Sequence, residues 1–243
     1  MLPVYVISLE DATERREAIA QQAKSLNVTV QIVDAVDGRN GFSATQETQI
    51  DRAKARDRLR KNLTNGEIAC SLSHALLYQK IAQDPESRGA VILEDDALLS
   101  PAFGRIMHSS TLQDSGEMLV LLHHFRARVL RFSSRTLIKD ISMRTPIHPP
   151  YRTTGYFVSS EGAQVLLQRS LPIASVADWG FDITEIDAKA LEPQVIGHPP
   201  EDIVNSTLQA QRTAGTKRPL LNKLGDPRYI RYALKKPFSR RIS

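Results

Sequence analysis

The chain has few of the features that mark secreted or membrane-spanning proteins. Its 243 residues contain one cysteine, Cys70, which excludes an internal disulfide and fits a reducing compartment. No stretch approaches the roughly 18 to 20 apolar residues of a membrane-spanning helix. The N-terminal residues lack the basic region and cleavage site of a secretory signal, and we expect them to form a first strand. A lone cysteine on an apolar helix face is typical of core packing, with a catalytic thiol as the alternative.

The sequence also lacks the Gly-x-Ser-x-Gly turn that carries the nucleophile of many hydrolases. Ser71, Ser73 and His74 fall on one predicted helix. A nucleophile and a base so close together on a helix rarely align. We therefore expect these side chains to hydrogen-bond to neighbouring loops.

A net positive charge is absent from most of the chain and concentrated at its end. Residues 211–243 hold ten Lys or Arg and one acid, a net charge of +9; because the whole chain is +5, residues 1–210 carry −4. The cations alternate with apolar residues such as Tyr229 and Ile230, a pattern that favours an anionic membrane surface, where each cation contributes about 1 kcal/mol. A solvated tail and a nucleic-acid ligand are the alternatives. We predict a domain over residues 1–205 and a basic amphipathic tail over residues 206–243 that associates with a membrane surface.

An acidic triplet follows an apolar run at residues 90–97. Four apolar residues lead directly into Glu94, Asp95 and Asp96, as expected for a strand buried on both faces. Because side chains alternate along a strand, Glu94 and Asp96 should point one way and Asp95 the other. Crowded carboxylates are costly to desolvate unless a cation lies among them, and Mg²⁺ or Mn²⁺ carrying phosphate oxygens is one solution. A solvated acidic turn or a helix cap is the alternative.

The start of the chain predicts an α/β fold. Strands over residues 4–9 and 28–36 flank a helix that ends near Asn27, and this βαβ unit is normally a parallel pair. Asp11 and Glu14 have the spacing of a capping box. Arg15 and Arg16 lie in the first helical turn, either solvated or reaching over the strand end to a diphosphate.

Further elements are predicted along the chain. A second capping box, Thr64 with Glu67, opens a helix through about Ala82. We also expect an exposed helix or loop at residues 51–61, strands at 117–122 and after Gly155, a hairpin or flexible loop at 126–145, and a helix at 160–170. Of His123 and His124, at most one can join a site, because neighbouring strand residues face opposite ways.

Asp178 precedes the single tryptophan, Trp179. An indole ring can stack on a sugar face while the carboxylate takes a proton, as in many carbohydrate sites. The alternative is a core tryptophan next to a loop aspartate.

Taken in order, these segments resemble glycosyltransferase family 25, which contains bacterial lipooligosaccharide galactosyltransferases and is related to the collagen galactosyltransferases. The resemblance spans about residues 3–180, and its most specific parts are the helix at 66–74 and the acidic strand end. The matching segments are Val-Tyr-Val-Ile-Ser-Leu with Arg15-Arg16, Asp34-Ala-Val-Asp-Gly38, Gly66-Glu-Ile-Ala-Cys-Ser-Leu-Ser-His74, Ile92-Leu-Glu-Asp-Asp96, Thr153-Thr-Gly-Tyr156 and Asp178-Trp179.

The resemblance implies an α/β fold of the GT-A type, with a Rossmann-like nucleotide-binding half and a central, mostly parallel sheet. It implies an inverting, metal-dependent transfer of a hexose, usually galactose from UDP-galactose, onto a lipooligosaccharide or lipopolysaccharide acceptor, with Mn²⁺ or Mg²⁺. Such an acceptor would place the protein peripherally at the cytoplasmic face of a bacterial inner membrane, and no nucleic-acid partner is expected. A catalytically silent sugar-nucleotide-binding homologue and a nucleic-acid-binding protein acting through its tail are the alternatives.

The resemblance also assigns roles to residues of this chain. Asp96 and then Glu94 would hold the metal, and Asp178 would be the general base, with Asp182 and Glu161 as rivals. His74 would orient the acidic strand, and His198 is a weaker candidate for a late metal ligand. The residues expected to bind the nucleotide are Ser8, Leu9, Arg15, Asp37, Gly38 and Asp95, and those expected to bind the acceptor are Trp179 and Tyr156.

Overall fold

A computed structural model describes residues 2–200 and 227–243, which form twelve strands and seven α-helices. The strands are β1 (Val4–Ser8), β2 (Gln31–Asp34), β3 (Ala90–Glu94), β4 (Leu98–Leu99), β5 (Leu119–Leu121), β6 (Arg128–Leu130), β7 (Arg135–Ile138), β8 (Ile141–Arg144), β9 (Gly155–Val158), β10 (Lys189–Glu192), β11 (Ile196–Gly197) and β12 (Ser239–Arg241). The helices are α1 (Thr13–Ser25), α2 (Ala44–Glu47), α3 (Arg52–Leu59), α4 (Asn65–Gln83), α5 (Pro101–Met107), α6 (Ser160–Ser170) and α7 (Pro227–Lys235).

Eight strands form one central sheet in the order β2-β1-β3-β9-β5-β10-β8-β7. β1 pairs in parallel with β2 and β3, and β5 pairs in parallel with β10. The other four pairs are antiparallel, so the sheet as a whole is mixed. The predicted βαβ unit and the α/β fold of the GT-A type are confirmed.

Helices cover both faces of this sheet. In β1, Val4 and Val6 pack with Ile19 of α1 and Phe103 of α5 in one core cluster. The alternate residues Tyr5 and Ile7 belong to a second cluster, which includes side chains of α4 and α6. β3 is divided in the same way, which is why its apolar run shows no polar alternation.

The two predicted capping boxes have different outcomes. In α4, the Glu67 amide donates to Thr64 Oγ1 at 3.1 Å and the Thr64 amide donates to Glu67 Oε2 at 3.0 Å, so this box is confirmed. The box at Asp11 is wrong, since α1 begins after Ala12 with no side-chain cap. Arg39 binds the Asp11 carboxylate at 2.6 Å and competes for the group that would cap the helix.

The middle of the chain is more regular than its composition indicates. Residues 126–145 contain the antiparallel pair β7 and β8, so the predicted hairpin is correct. The charged segment at 51–61 forms α3, with Asp51 accepting from the Lys54 amide. β2 is shorter than predicted, at Gln31–Asp34, and lies at the edge of the sheet.

The last residues of the chain pack on the domain. β12 pairs with β6, and Arg240 binds both carboxylate oxygens of Glu192 at the end of β10. Ser243 Oγ lies 2.9 Å from His124 Nδ1. Within residues 2–200 and 227–243, no helix is long and apolar enough to cross a membrane. The predicted boundary at 205/206 and the residues just after it fall outside the described part of the chain.

Gly162, near the start of α6, tests how closely this helix approaches the sheet. A Cβ at this position would lie 2.2 Å from the Met118 carbonyl oxygen, too close for either backbone to accommodate. We expect Gly162→Ala to lower the free energy of unfolding by roughly 2 kcal/mol or more, measured by urea denaturation. Gly180→Ala is the matched control, because its nearest neighbour would be Ser175 Cβ at 3.7 Å. Equal stability of the two variants would contradict this packing.

Candidate active site

Strand direction brings the chemically interesting residues to one edge of the sheet. β1, β3 and β5 run the same way, so Ser8, Glu94 and His123 all lie at or just beyond carboxyl ends. β9 runs in the opposite direction, and the residues before it, Thr153 and Thr154, reach the same edge. Open α/β sheets bind ligands at this edge.

Asp95 points towards the first strand and helix. Its Oδ2 accepts a 2.7 Å hydrogen bond from Ser8 Oγ, and its Oδ1 lies 3.0 Å from the Arg15 guanidinium. Burial raises the pKa of Asp95, against the opposing effects of Ser8 and Arg15. The Arg15 side chain is 46% exposed, so it can contact a ligand above the strand end.

Glu94 points the other way, towards α4 and the start of β9. Its Oε1 accepts from Thr153 Oγ1 at 2.7 Å and lies 3.5 Å from His74 Nε2, while its amide donates to the Thr154 carbonyl. Burial acts to raise the pKa of Glu94, but the His74 imidazole and the Thr153 hydroxyl outweigh it and hold the pKa below its ordinary value. Glu94 is therefore held as a carboxylate.

A buried chain of rings supports His74. Its Nδ1 lies 2.7 Å from the Tyr156 hydroxyl, which in turn lies 2.8 Å from the Tyr78 hydroxyl. Burial raises the pKa of both tyrosines above the ordinary value. Trp179 stacks edge-on against Tyr156, with ring centroids 5.2 Å apart. His74 lies between these rings and Glu94, and its expected role in orienting the acidic strand stays a prediction.

Asp96 faces a second histidine. β4 and β11 pair antiparallel, with Gly197 opposite Leu98, and this register brings His198 to the acidic strand end. His198 Nε2 lies 3.3 Å from Asp96 Oδ2, and this contact raises the pKa of His198. The His123 ring lies 6.1 Å from the His198 ring, and burial lowers the pKa of His123 to about 4. His124 points elsewhere, to Ser243 and the Leu191 carbonyl.

Several buried polar atoms at this edge have no hydrogen-bond partner among the described residues. They are His74 Nε2, Asp96 Oδ1, His123 Nε2 and Trp179 Nε1. Buried polar atoms without partners are rare, and each implies an unseen ligand, ion or water. A carboxylate oxygen suits Mn²⁺ or Mg²⁺, and imidazole nitrogens beside it suit divalent transition metals more generally. The side chains around Asp96 therefore fit a divalent cation.

The loop that carries Asp178 is tied to the same helix. Ser71 Oγ donates to the Ser175 carbonyl at 3.1 Å. Trp179 adopts a left-handed backbone, with φ of 58°, and such strain at a bulky residue is common at functional sites. A pocket between this loop, α3 and α4 is lined by His74 and Tyr78 and by the cations Lys54, Arg58 and Arg169.

The acceptor contacts expected of Trp179 and Tyr156 stay predictions, and the burial of these rings argues against them. Tyr156 is 0% exposed and Trp179 is 7% exposed. Both rings pack beneath the site, which leaves little ring surface for a sugar.

The rival acids differ from Asp178 in position. Asp182 caps the short helix that follows it and accepts from the amide and hydroxyl of Thr184. Glu161 follows the carboxyl end of β9, and because β9 runs antiparallel to β3, it lies at the opposite edge of the sheet from Glu94. The topology therefore separates Glu161 from the acidic triplet.

The remaining predicted nucleotide residues lie near the ends of β1 and β2. The Leu9 carbonyl accepts from Arg16, which also binds the Ser8 carbonyl and Asp34. Asp37 is bound by Arg39. A Cβ on Gly38 would meet the Asn65 carbonyl at 2.6 Å, so glycine is needed there for the approach of α4.

Thr153 was not assigned a role from the sequence, although it lies in a quoted motif. Its bond to Glu94 depends on the β3–β9 register, in which Gly155 lies opposite Leu93. Without knowledge of that strand pairing, a threonine two residues before a buried strand gives little indication of a site residue.

Comparison with known proteins shows the family to which the chain is related. A family model described as Glycosyltransferase family 25 (LPS biosynthesis protein) matches residues 1–180. A glycosyltransferase 25 family member of Aedes aegypti is 26% identical over 246 residues, which cover 93% of this chain and 37% of that protein. Procollagen galactosyltransferase 2 of Homo sapiens is 27% identical over 169 residues, 68% of this chain and 27% of its own length.

A Bos taurus protein named probable inactive glycosyltransferase 25 family member 3 is 26% identical over 191 residues, covering 74% of this chain and 31% of that protein. The chain thus spans about a third of the length of these relatives, from 27% to 37%. The family model, in contrast, covers most of the chain and contains both the α4 segment and the acidic strand end. The chain belongs to glycosyltransferase family 25.

Proposed function

We propose that this chain is an inverting glycosyltransferase that moves galactose from UDP-galactose onto an oligosaccharide acceptor of the lipooligosaccharide or lipopolysaccharide type. The observation that carries the proposal is the acidic strand end, where Asp95 and Glu94 are neutralised separately and Asp96 keeps an unpartnered buried oxygen beside His198. Galactose is chosen because a human relative is named a procollagen galactosyltransferase. The lipopolysaccharide acceptor follows the printed description of the family.

Asp96 and His198 would hold the divalent cation, with Glu94 as a further ligand. When bound, Mn²⁺ would neutralise the charge that develops on the UDP leaving group. Arg15, half-exposed above Asp95, is suited to contact the diphosphate, and Ser8 fixes the carboxylate between them. Ser8, Leu9, Asp37 and Gly38 mark the region of the donor nucleotide.

Asp178 is the proposed general base, which must take the proton of the acceptor hydroxyl on the side opposite the leaving group. Its loop is fixed to α4 and borders the pocket that His74 lines. Lys54, Arg58 and Arg169 line this pocket, and their charge suits an acceptor that carries phosphate or carboxylate groups.

Asp96→Asn tests the metal role. We expect the rate of UDP release from UDP-galactose in the presence of Mn²⁺ and acceptor to fall by roughly a hundredfold or more, because the amide removes a charged ligand. UDP-glucose, UDP-N-acetylglucosamine and UDP-N-acetylgalactosamine measured alongside identify the donor, and EDTA should abolish release from the native chain.

Asp114→Asn is the matched control, since this acid is exposed, pairs with Arg88 and precedes β5 at the opposite sheet edge. Equal activity of Asp96→Asn and Asp114→Asn would contradict the metal role. If the native protein is folded but releases UDP from none of the donors, a catalytically silent homologue is favoured. The bovine relative is named probable inactive.

Asp178→Asn tests the base. We expect kcat to fall by roughly 10²–10⁴ while donor KM changes little, because the amide cannot accept the proton. Asp182→Asn is the comparison, and it should reduce stability through loss of the Thr184 contacts more than it reduces kcat. The reverse pattern would transfer the role to Asp182.

We also propose that the docked C-terminal segment lies on an anionic membrane at the cytoplasmic face. Residues 227–243 carry six Lys or Arg and no acid. Leu234 and Phe238 are 70% and 66% exposed, and Phe132, beside the backbone bond from Arg131 to Phe238, is 94% exposed. Apolar side chains among cations are typical of interfacial binding. Nucleic acid is the alternative ligand for this charge, since the bases of single strands also stack on exposed aromatic rings.

Substitution tests this surface better than deletion of the tail, which would also remove β12 from β6. We expect Phe132→Ser and Phe238→Ser each to weaken binding to phosphatidylglycerol vesicles by roughly tenfold in sedimentation assays. Leu76→Ser is the control, because Leu76 is 48% exposed on α4, outside this surface. Equal vesicle binding by all three variants, or tight binding to RNA instead, would overturn the proposal.

A further inference from the structure

Cys70, His74 and Glu94 form a cluster on the α4 side of the acidic strand. Cys70 and His74 are four residues apart on α4, so they share one helix face. One potential ligand atom from each of the three residues lies within 4.8 Å of the other two. Cys70 and His74 lie on the α4 side of Glu94, whereas Asp96 and His198 meet through the β4–β11 pair, so Glu94 is the one acid that an ion at either place could use.

We propose that this Cys-His-Glu cluster binds one Zn²⁺ ion. Thiolate, imidazole and carboxylate are the usual zinc ligands, and three of them leave a fourth tetrahedral position open. Binding forms a Zn–S bond at Cys70 and releases the thiol proton to solvent. The proposal does not rest on sugar transfer, and Zn²⁺ bound here would take Glu94 away from the cation proposed at Asp96.

The distance between the ligand atoms of His74 and Glu94 is close to the distance expected if both bound one zinc ion. Zn–N and Zn–O bonds of about 2.0–2.1 Å at a tetrahedral angle place the two ligand atoms about 3.3 Å apart. His74 Nε2 and Glu94 Oε1 are 3.5 Å apart, a distance too long for a good hydrogen bond. A tetrahedral ion places a thiolate sulfur about 3.6 Å from the other two ligand atoms, and the Cys70 sulfur lies within 4.8 Å of one potential ligand atom of each.

His74 is prepared as a ligand. The residue is 2% exposed, and its Nε2 has no hydrogen-bond partner among the described residues. Its Nδ1 lies 2.7 Å from the Tyr156 hydroxyl oxygen. The Tyr156 hydroxyl can accept a hydrogen bond from Nδ1 and donate one to the Tyr78 hydroxyl. A bound Zn²⁺ would replace any proton on Nε2, and Nδ1–H donating to Tyr156 would then hold the ring, as in metal-bound histidines.

The cluster is not sealed from solvent on this side. His74 and Tyr78 line the pocket beside Ser71 and Ser175. Cys70 is only partly buried, and the Glu94 side chain is 26% exposed. An ion can therefore reach the cluster without unfolding the sheet.

Co²⁺ is the sharpest probe, because a thiolate bound to it gives a sulfur-to-metal charge-transfer band. Cys70 is the only cysteine of the 243 residues, so such a band in the full chain reports this site alone. We expect one equivalent of Co²⁺ to produce the band, Zn²⁺ to remove it, and Cys70→Ser to lack it. Asp96→Asn, the matched control at the other acid, should keep it.

Two further measurements guard against misfolded variants. Zn²⁺ should protect Cys70 of the native chain from alkylation by iodoacetamide at least tenfold. Tyr156→Phe should weaken Zn²⁺ binding by roughly ten- to a hundredfold in equilibrium dialysis, because His74 loses its orienting partner. Co²⁺ binding without a sulfur band, or alkylation unaffected by Zn²⁺, would overturn the proposal.

Discussion

Three consecutive carboxylates at the end of β3 must each be neutralised where little solvent reaches them, and much of the described structure supplies their partners. Asp95 turns to Ser8 and Arg15, Glu94 to Thr153 and His74, and Asp96 to His198. Asp95 turns towards the first strand and helix, whereas Glu94 turns towards α4 and the start of β9, so each of these carboxylates has partners of its own. The partners come from segments far apart in the sequence, so the acidic edge depends on the assembled sheet.

Beneath this edge, the side chains of His74, Tyr156 and Tyr78 are joined by hydrogen bonds, which restrict their movement. Tyr156 belongs to the central strand β9 and joins His74 and Tyr78 of α4, while Trp179 packs on its edge. A change in the position of α4 would therefore move Glu94, and it would also move the loop that Ser71 holds. This coupling explains why the segment Gly66–His74 and the acidic strand end form one recognisable pattern, although some twenty residues separate them.

The local patterns of the sequence predicted the βαβ unit, the Thr64 capping box and the opposite directions of Asp95 and Glu94. They failed where a distant partner decides the outcome. Asp11 does not cap α1 because Arg39 binds it. His198 reaches Asp96 through β4 and β11, strands of two residues each that are too short to show any periodicity. The bond between Thr153 and Glu94 likewise depends on the β9 register, which no local signal contains.

The C-terminal segment differs from the domain in composition, yet its last residues share a network with the acidic edge. Arg240 clamps Glu192, and this ion pair holds the pKa of Glu192 below its ordinary value. Ser243 contacts His124, whose neighbour His123 lies beside His198. A surface that binds through Phe132 and Phe238 would therefore fix the orientation of the acidic edge as well. Membrane attachment and the presentation of an acceptor to that edge would then depend on the same strand pair, β6 and β12.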